Sequence, residues 1–421
     1  MLFNRMMTMI EISRARPAAV AGSLVAFALL GGASCRLEPS ESPTAAVEPH
    51  PVAAKLAKRI ETPIDVDEPE TCAVCHAAVY GEWTESMHAR AHQDADPIFG
   101  AMRRFRLGLG QPIEGKCANC HAPRSKVVPE AAHTGVSCAT CHNIEKIHPG
   151  EEAGGAKQIE FARNDRMVSA RNIENGRSPV HSNGPAHPAL ADGQTLCLTC
   201  HGFHRNPAKV PVCTTGSELE QNSEAGTCVD CHMPEVRGPS GAVGRRESHR
   251  SHAFLGPHRS FEDRDRRILE DAADLSVRLE RGRVRVTVSN RSGHAFPSGF
   301  PGRMGVVSVV GRDRRGRTVW KNFDRNPMKE SPESVFNKVY ADAEGRPTLP
   351  PLAKKLLRDS RLKPAEVRTL TFRVPRSVAE VEARLTYRLL PPPAGERIGL
   401  EAPHLTRPVP VAEARAVLPS R

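Results

Sequence analysis

The chain has 421 residues with a formal charge of +11, 12 Cys and 18 His, yet only 4% aromatic and 39% hydrophobic residues. That is lean for a domain expected to fold around a side-chain core. One apolar run near the N-terminus apart, no segment approaches the ~20 residues a membrane-spanning helix needs, which excludes a bundle of such helices.

Residues 1–16 carry Arg5, Arg14 and Arg16 against a single acid, Glu11, and an apolar run follows from Ala18 to about Gly32. A basic start, a short hydrophobic middle and small residues at its end read as a secretory signal peptide over residues 1–34. Cys35, preceded by Leu30-Gly31-Gly32-Ala33-Ser34, resembles the acylated cysteine of a bacterial lipoprotein. Plain cleavage nearby is the other reading, because Gly32 stands where such signals usually carry an aliphatic residue. Residues 35–70 are rich in Pro, Glu and Ala and read as a polar tether too poor in apolar residues to fold. The expected location is therefore outside the cytoplasm: periplasmic, or held to the outer membrane or cell surface by a lipid.

Residues 71–262 contain the pattern Cys-x-x-Cys-His five times: Cys72/Cys75/His76, Cys117/Cys120/His121, Cys138/Cys141/His142, Cys197/Cys200/His201 and Cys228/Cys231/His232. Two thiols on one helical turn can each form a thioether to a haem vinyl group, and the adjacent His then reaches the iron. Structural zinc takes four ligands, so pairs of thiols should come in even number; five leave an orphan. A thioredoxin-like pair occurs once and needs no following His. The pattern therefore predicts five covalently attached c-type haems. These also explain the composition, since five large apolar plates take the place of core side chains. Each haem brings two propionates, which offset the basic charge, so Arg and Lys read as propionate partners rather than as contacts to nucleic acid. Ten cysteines are thereby used; Cys35 and Cys213 remain, the latter expected as a buried free thiol.

Between the motifs, residues 72–94 read as one helix through Tyr80, Trp83, Met87, His88 and Ala91. The interval 143–196 is rich in Gly, Asn and Pro and reads as a long loop with a role in haem contact or in donating a His. Five haems with two His each need five more imidazoles, and 13 His lie outside the motifs. His88 is too close to His76 along one helix to share its haem. His133 precedes Thr134-Gly135, and His252 and His258 bracket Ala-Phe-Leu-Gly-Pro. His294 sits in Ser292-Gly-His-Ala-Phe-Pro-Ser-Gly299, a rigid loop that either presents a ligand to the haem region or is held by hydrogen bonds of its own.

Residues 263–421 hold no Cys and alternate with period two. Leu275, Val277 and Leu279, then Val284, Val286 and Val288, flank Glu280-Arg281-Gly282 as a hairpin. Residues 304–310 and 317–323 form a second pair, and Val367–Val374 and Val381–Leu390 two more strands, with a helix near Pro351–Arg358. The whole reads as a two-domain α+β chain: a haem-organised, mostly helical and irregular domain followed by an immunoglobulin-like β-sandwich.

Cys72-Ala-Val-Cys-His76 with Tyr80, Trp83, Ser86, His88 and Ala89 resembles the opening of multihaem cytochromes c related to the tetrahaem electron acceptor of hydroxylamine oxidoreductase. Gly135-Val136 before Cys138, and Cys228-Val-Asp-Cys-His-Met-Pro234 with Ser251-His252 and Gly256-Pro257-His258, are similar to later segments of that family. The loop at Gly293–Gly299 resembles a domain often appended to such proteins. The resemblance implies His88, His133 and His252 or His258 as distal ligands; a fifth motif departs from the tetrahaem pattern.

The expected role is electron transfer between redox proteins, such as other cytochromes or a membrane quinol-oxidising complex. The competing reading is a multihaem oxidoreductase working on a small nitrogen or sulfur compound at a five-coordinate haem. No Cys-x-x-Cys-Lys variant is present, and Tyr80, Tyr340 and Tyr387 are the only tyrosines available to such a site. The β-region reads as a docking module. If haems supply the core of residues 71–260, haem-free protein examined by far-ultraviolet circular dichroism will lack the helix content of the holoprotein in that region.

Overall fold

Each Cys-x-x-Cys-His segment folds as one or two helical turns, since the pattern asks only that two thiols and an imidazole be offered from one face. The computed structural model describes residues 64–111, 117–148, 155–172, 181–242 and 247–418. Within it the motif helices are Ala118–His121, Cys138–His142, Thr195–His201 and Cys228–His232. The first motif lies between helices Pro69–Cys72 and Ala77–Thr84, with His76 at the N-cap of the second. Helices this short do not stand alone and need caps or tertiary contact. At Cys228–His232 the cap is a reciprocal box between Thr227 and Asp230. The expected signal peptide, Cys35 and the tether up to residue 63 lie outside the described residues. No helix among the described residues is long and apolar enough to cross a membrane.

The single helix expected over 72–94 does not form. The chain leaves Ala77–Thr84, turns through the following residues and restarts as Pro97–Gly108, a helix the period had not revealed. Pro97 cannot sit inside a helix but suits its first turn, and the Asp96 carboxylate accepts from Ile98 N at 2.9 Å and Phe99 N at 3.1 Å. The 143–196 interval is likewise not bare loop. Ile144–Ile147 pairs antiparallel with Ile159–Phe161, Met167–Ser169 pairs parallel with Asn183–Ala186, and Pro188–Ala191 is helical.

Buried charge pins this part together. Arg124 is almost fully buried and grips Asp67 through Nε at 2.5 Å and Nη2 at 2.7 Å. Its Nη1 donates to Asn143 Oδ1 at 3.0 Å, and Asn143 Nδ2 in turn donates to Asn164 O and Arg166 O, both at 2.9 Å. One guanidinium thus joins the segment before the first motif to the segment after the third.

The C-terminal half forms two antiparallel sheets. Ala273–Glu280 and Arg283–Asn290 make the expected hairpin, turning at Gly282 with φ +80°, and Val367–Arg373 completes a three-stranded sheet. Alternation decides which face is buried: Val284, Val286 and Val288 point inward. In the larger sheet Met304–Arg312 pairs along its whole length with Glu380–Arg388, which carries Val409–Val417 on its far side. Thr318–Lys321 pairs with Met304–Arg312 as expected. The helix expected near Pro351–Arg358 is a 3-10 turn, Pro350–Leu352, followed by a strand, Lys355–Asp359, paired with Val335–Ala341. Pro350 and Pro351 open that turn, but the chain extends into a strand straight after it; Val335–Ala341 escaped notice because it is buried on both faces and does not alternate. Val284, Val286, Val288, Leu370 and Phe372 of the small sheet share one core with Val307, Val309, Leu385, Val409 and Val411 of the large one. Ile98 and Phe261, from the motif-bearing half, enter that same core. All described residues fall in one compact unit.

Replacing Arg124 with Ala strands the Asp67 carboxylate in the interior, which on the usual scale for a broken buried pair costs about 3–5 kcal/mol. A guanidinium denaturation series on the holoprotein should show a clear drop in midpoint; an unchanged midpoint would show that water relieves Asp67.

Candidate haem sites

In the motif-bearing half the apolar clusters are small: Ile144, Ile159, Phe161, Val168, Ala189 and Leu196 form one, and Ala73, Tyr80 and Trp83 another. Around them runs one connected cavity of about 3370 Å³, lined by the cysteines and histidines of all five motifs. The motifs are packed against each other. The Cys72 thiol meets that of Cys138, Cys120 meets Cys200, and Cys197 meets Cys228. Cys141 also lies within electrostatic reach of Cys200. By contact, then, motif one adjoins three, and four adjoins both two and five, while three lies within electrostatic reach of four.

Four of the five motif imidazoles are oriented by backbone carbonyls. His76 Nδ1 donates to Ser240 O at 2.6 Å, His121 Nδ1 to Ala91 O at 2.9 Å, His142 Nδ1 to Val168 O at 2.8 Å and His232 Nδ1 to Leu255 O at 2.5 Å. A carbonyl can only accept, so Nδ1 holds the proton and the Nε2 lone pair is left for a metal. Burial favours the neutral form of four motif rings: it lowers His121, His142 and His232, and it brings His201 down to about 4. Neutral imidazole is the ligating form.

Three of the motif rings face a second imidazole. His142 and His252 have ring centres 6.1 Å apart, His88 and His201 6.2 Å, and His232 and His294 6.4 Å. An iron bonded at about 2 Å to the near nitrogen of each ring requires centres roughly 6 Å apart. The donor set therefore fits iron held between two imidazoles at three places. Two of the second rings are built like the motif rings, His252 Nδ1 donating to Arg250 O at 2.9 Å and His294 Nδ1 to Ala295 O at 3.0 Å. His88 differs. Its Nδ1 is buried without a partner and its ring packs on Phe254, centres 4.2 Å apart; burial, then His201, brings it down to about 3.

Other histidines fall elsewhere. His133 is exposed, outside the cavity lining, and its Nδ1 donates to Glu130 O at 2.8 Å. The short 3-10 turn Pro129–Thr134 aims it at solvent, so the expected ligand role has no support in its position. His258 lines the cavity, but its Nε2 accepts from Arg303 Nη2 at 3.0 Å, which occupies the lone pair a metal would need. Of the two alternatives in that segment, His252 is the one brought opposite a motif ring. His121 lies flat against Phe99, centres 3.8 Å apart, and His181 lines the cavity close to His142. Cys213 is a free thiol near Cys120, its pKa raised by burial against the opposing pull of Lys338. Sequence reasoning missed Glu82, whose Oε2 accepts from the His252 backbone N at 2.8 Å and whose carboxylate also meets His249 Nε2. No local signal marks such a partner, since it comes from a helix far away in the chain.

Thioether-spaced thiols, carbonyl-oriented histidines and facing imidazoles define a multihaem electron-transfer cytochrome c carrying five covalently attached haems. Residues 71–143, which span the first three motifs, match the family model described as cytochrome c554 and c-prime. Among solved structures the chain is similar to a penta-heme cytochrome c552 from Thermochromatium tepidum, 27% identical, with a TM-score of 0.70, covering 82% of this chain and 97% of that one. No curated protein matches the chain. Denaturing intact-mass spectrometry should find five haem additions on the purified protein, and four after replacing Cys197 and Cys200 together with Ala. Five additions in that variant would remove the fourth motif from the set.

Proposed function

We propose that this chain is an exported electron carrier in which at least three of five haems are closed on both faces by histidine, so that electrons pass through and substrates do not bind there. The observation that carries this reading is the set of three facing imidazole pairs, each with one motif histidine. An iron with two strong axial ligands changes charge without changing partners, which suits fast outer-sphere transfer. The contacts between motif thiols supply the second requirement, haems close enough to exchange electrons.

His88, His252 and His294 are the distal ligands in this reading, to the fourth, third and fifth haems respectively. The two packed sheets are a sandwich of immunoglobulin type, as in cytochromes of the family related to the hydroxylamine oxidoreductase acceptor, and serve as the face that meets a redox partner. The partners are other cytochromes or a quinol-oxidising membrane complex. Arg5, Arg14, Arg16 and the apolar run after them support export by a signal peptide, and Cys35 with the polar stretch after it supports a lipid anchor at the periplasmic or cell-surface side of a membrane.

Ferric electron paramagnetic resonance tests the closed-iron reading. At least three haems should be low-spin, and His252→Gly should turn one of them high-spin while the protein keeps all five haems. A mainly high-spin spectrum, with cyanide or nitrite bound at several irons, would instead favour an enzyme.

A further inference from the structure

His294 differs from the other facing imidazoles in its origin: it comes from the β-sheet half, whereas His232 comes from the last motif. A ligand delivered across two halves of a fold needs something that fixes one half on the other to within a few tenths of an ångström.

On the β side the loop is braced by its own strands. Asn290 Nδ2 donates to His294 O and to Lys363 O, each at 2.8 Å, and Phe296 exchanges backbone hydrogen bonds with Leu362 at 2.9 and 3.0 Å. On the motif side it meets the helix Thr215–Leu219. Glu218, 5% exposed, points its carboxylate into the loop: Oε2 accepts from Ala295 N at 3.2 Å and from the Ser298 hydroxyl. Ala295 follows His294 directly, so this bond acts on the ligand's own backbone. Oε1 accepts from Thr214 Oγ1 and pairs at 2.7 Å with Arg361, which also reaches Asp359 at 2.8 Å. Thr215 Oγ1 meets Ser298 Oγ at 3.0 Å. The approach is close: a Cβ on Gly293 would stand 2.7 Å from Ala225 Cβ and 3.2 Å from Leu219 Cδ1, both on the motif side.

A buried carboxylate with four polar partners need not add to general stability, since such groups are often no better than apolar packing. Its geometry is specific to one loop. Burial alone would raise the Glu218 carboxyl, but Arg361, Ser298 and Thr214 outweigh it and keep it ionised. We propose that Glu218 is a positioning residue: through Ala295 and Ser298 it latches the His294 loop onto the motif half and thereby sets the distal ligation of the fifth haem.

This rests on His294 being that ligand, so the experiment separates the two claims. His294→Gly in the holoprotein comes first. One of the low-spin signals should become high-spin and return when imidazole is added; no change would end the ligand assignment and, with it, the proposal. Glu218→Ala should then give the same imidazole-reversible loss at the same haem, with five haems retained and far-ultraviolet circular dichroism unchanged. A folded Glu218→Ala protein whose low-spin signals equal those of the parent overturns the proposal. If that variant does not assemble, Glu218→Asp replaces it, keeping the charge opposite Arg361 while drawing the carboxylate back by one methylene. A partial, imidazole-reversible high-spin population supports the latch, and a parental spectrum overturns it. General loss of stability would not single out one haem or answer to imidazole.

Discussion

A spacing of about 6 Å between two imidazole ring centres is the constraint on which the motif half depends. Each such pair joins segments far apart in the chain: His88 to His201, His142 to His252, and His232 to His294. The surrounding features serve that spacing. Carbonyls such as Val168 O and Leu255 O hold the motif rings by Nδ1, and Glu82 and Glu218 hold the backbone beside the facing rings. Short capped helices suffice to carry the thiols because metal and thioether bonds, rather than helix propensity, supply the rigidity.

The two halves solve the folding problem by different means. The β half buries a continuous core of Val, Leu and Phe between its sheets. The motif half has only small apolar clusters and leans on covalent cofactors and on buried ionic contacts such as Arg124 with Asp67. The halves are nevertheless joined at both levels, by Ile98 and Phe261 in the shared core and by Glu218 with Arg361 at the His294 loop.

What could be read from the residues follows from how local each signal is. The five attachment motifs are local, and so is the Ala273–Asn290 hairpin with its alternation and glycine turn; both were legible. The helix Pro97–Gly108 was hidden because its start is marked by one proline and one aspartate rather than by a strong period. Val335–Ala341 was hidden because a strand buried on both faces loses its alternation. The histidines proposed as distal ligands divide the same way. His88, His252 and His294 could be nominated from motif resemblance and stiff loops, but which ring each one faces is a matter of tertiary geometry. His133 looked equivalent in sequence and points to solvent, and His258 is engaged by Arg303.

The thiol contacts between motifs have a consequence for how such a protein can change over time. With attachment points of several haems side by side, the route of charge inside the molecule depends on the interior more than on the amino acids of the outer shell. That shell is free to vary its charges and contours, and so to acquire new docking mates, while the interior wiring stays as it is.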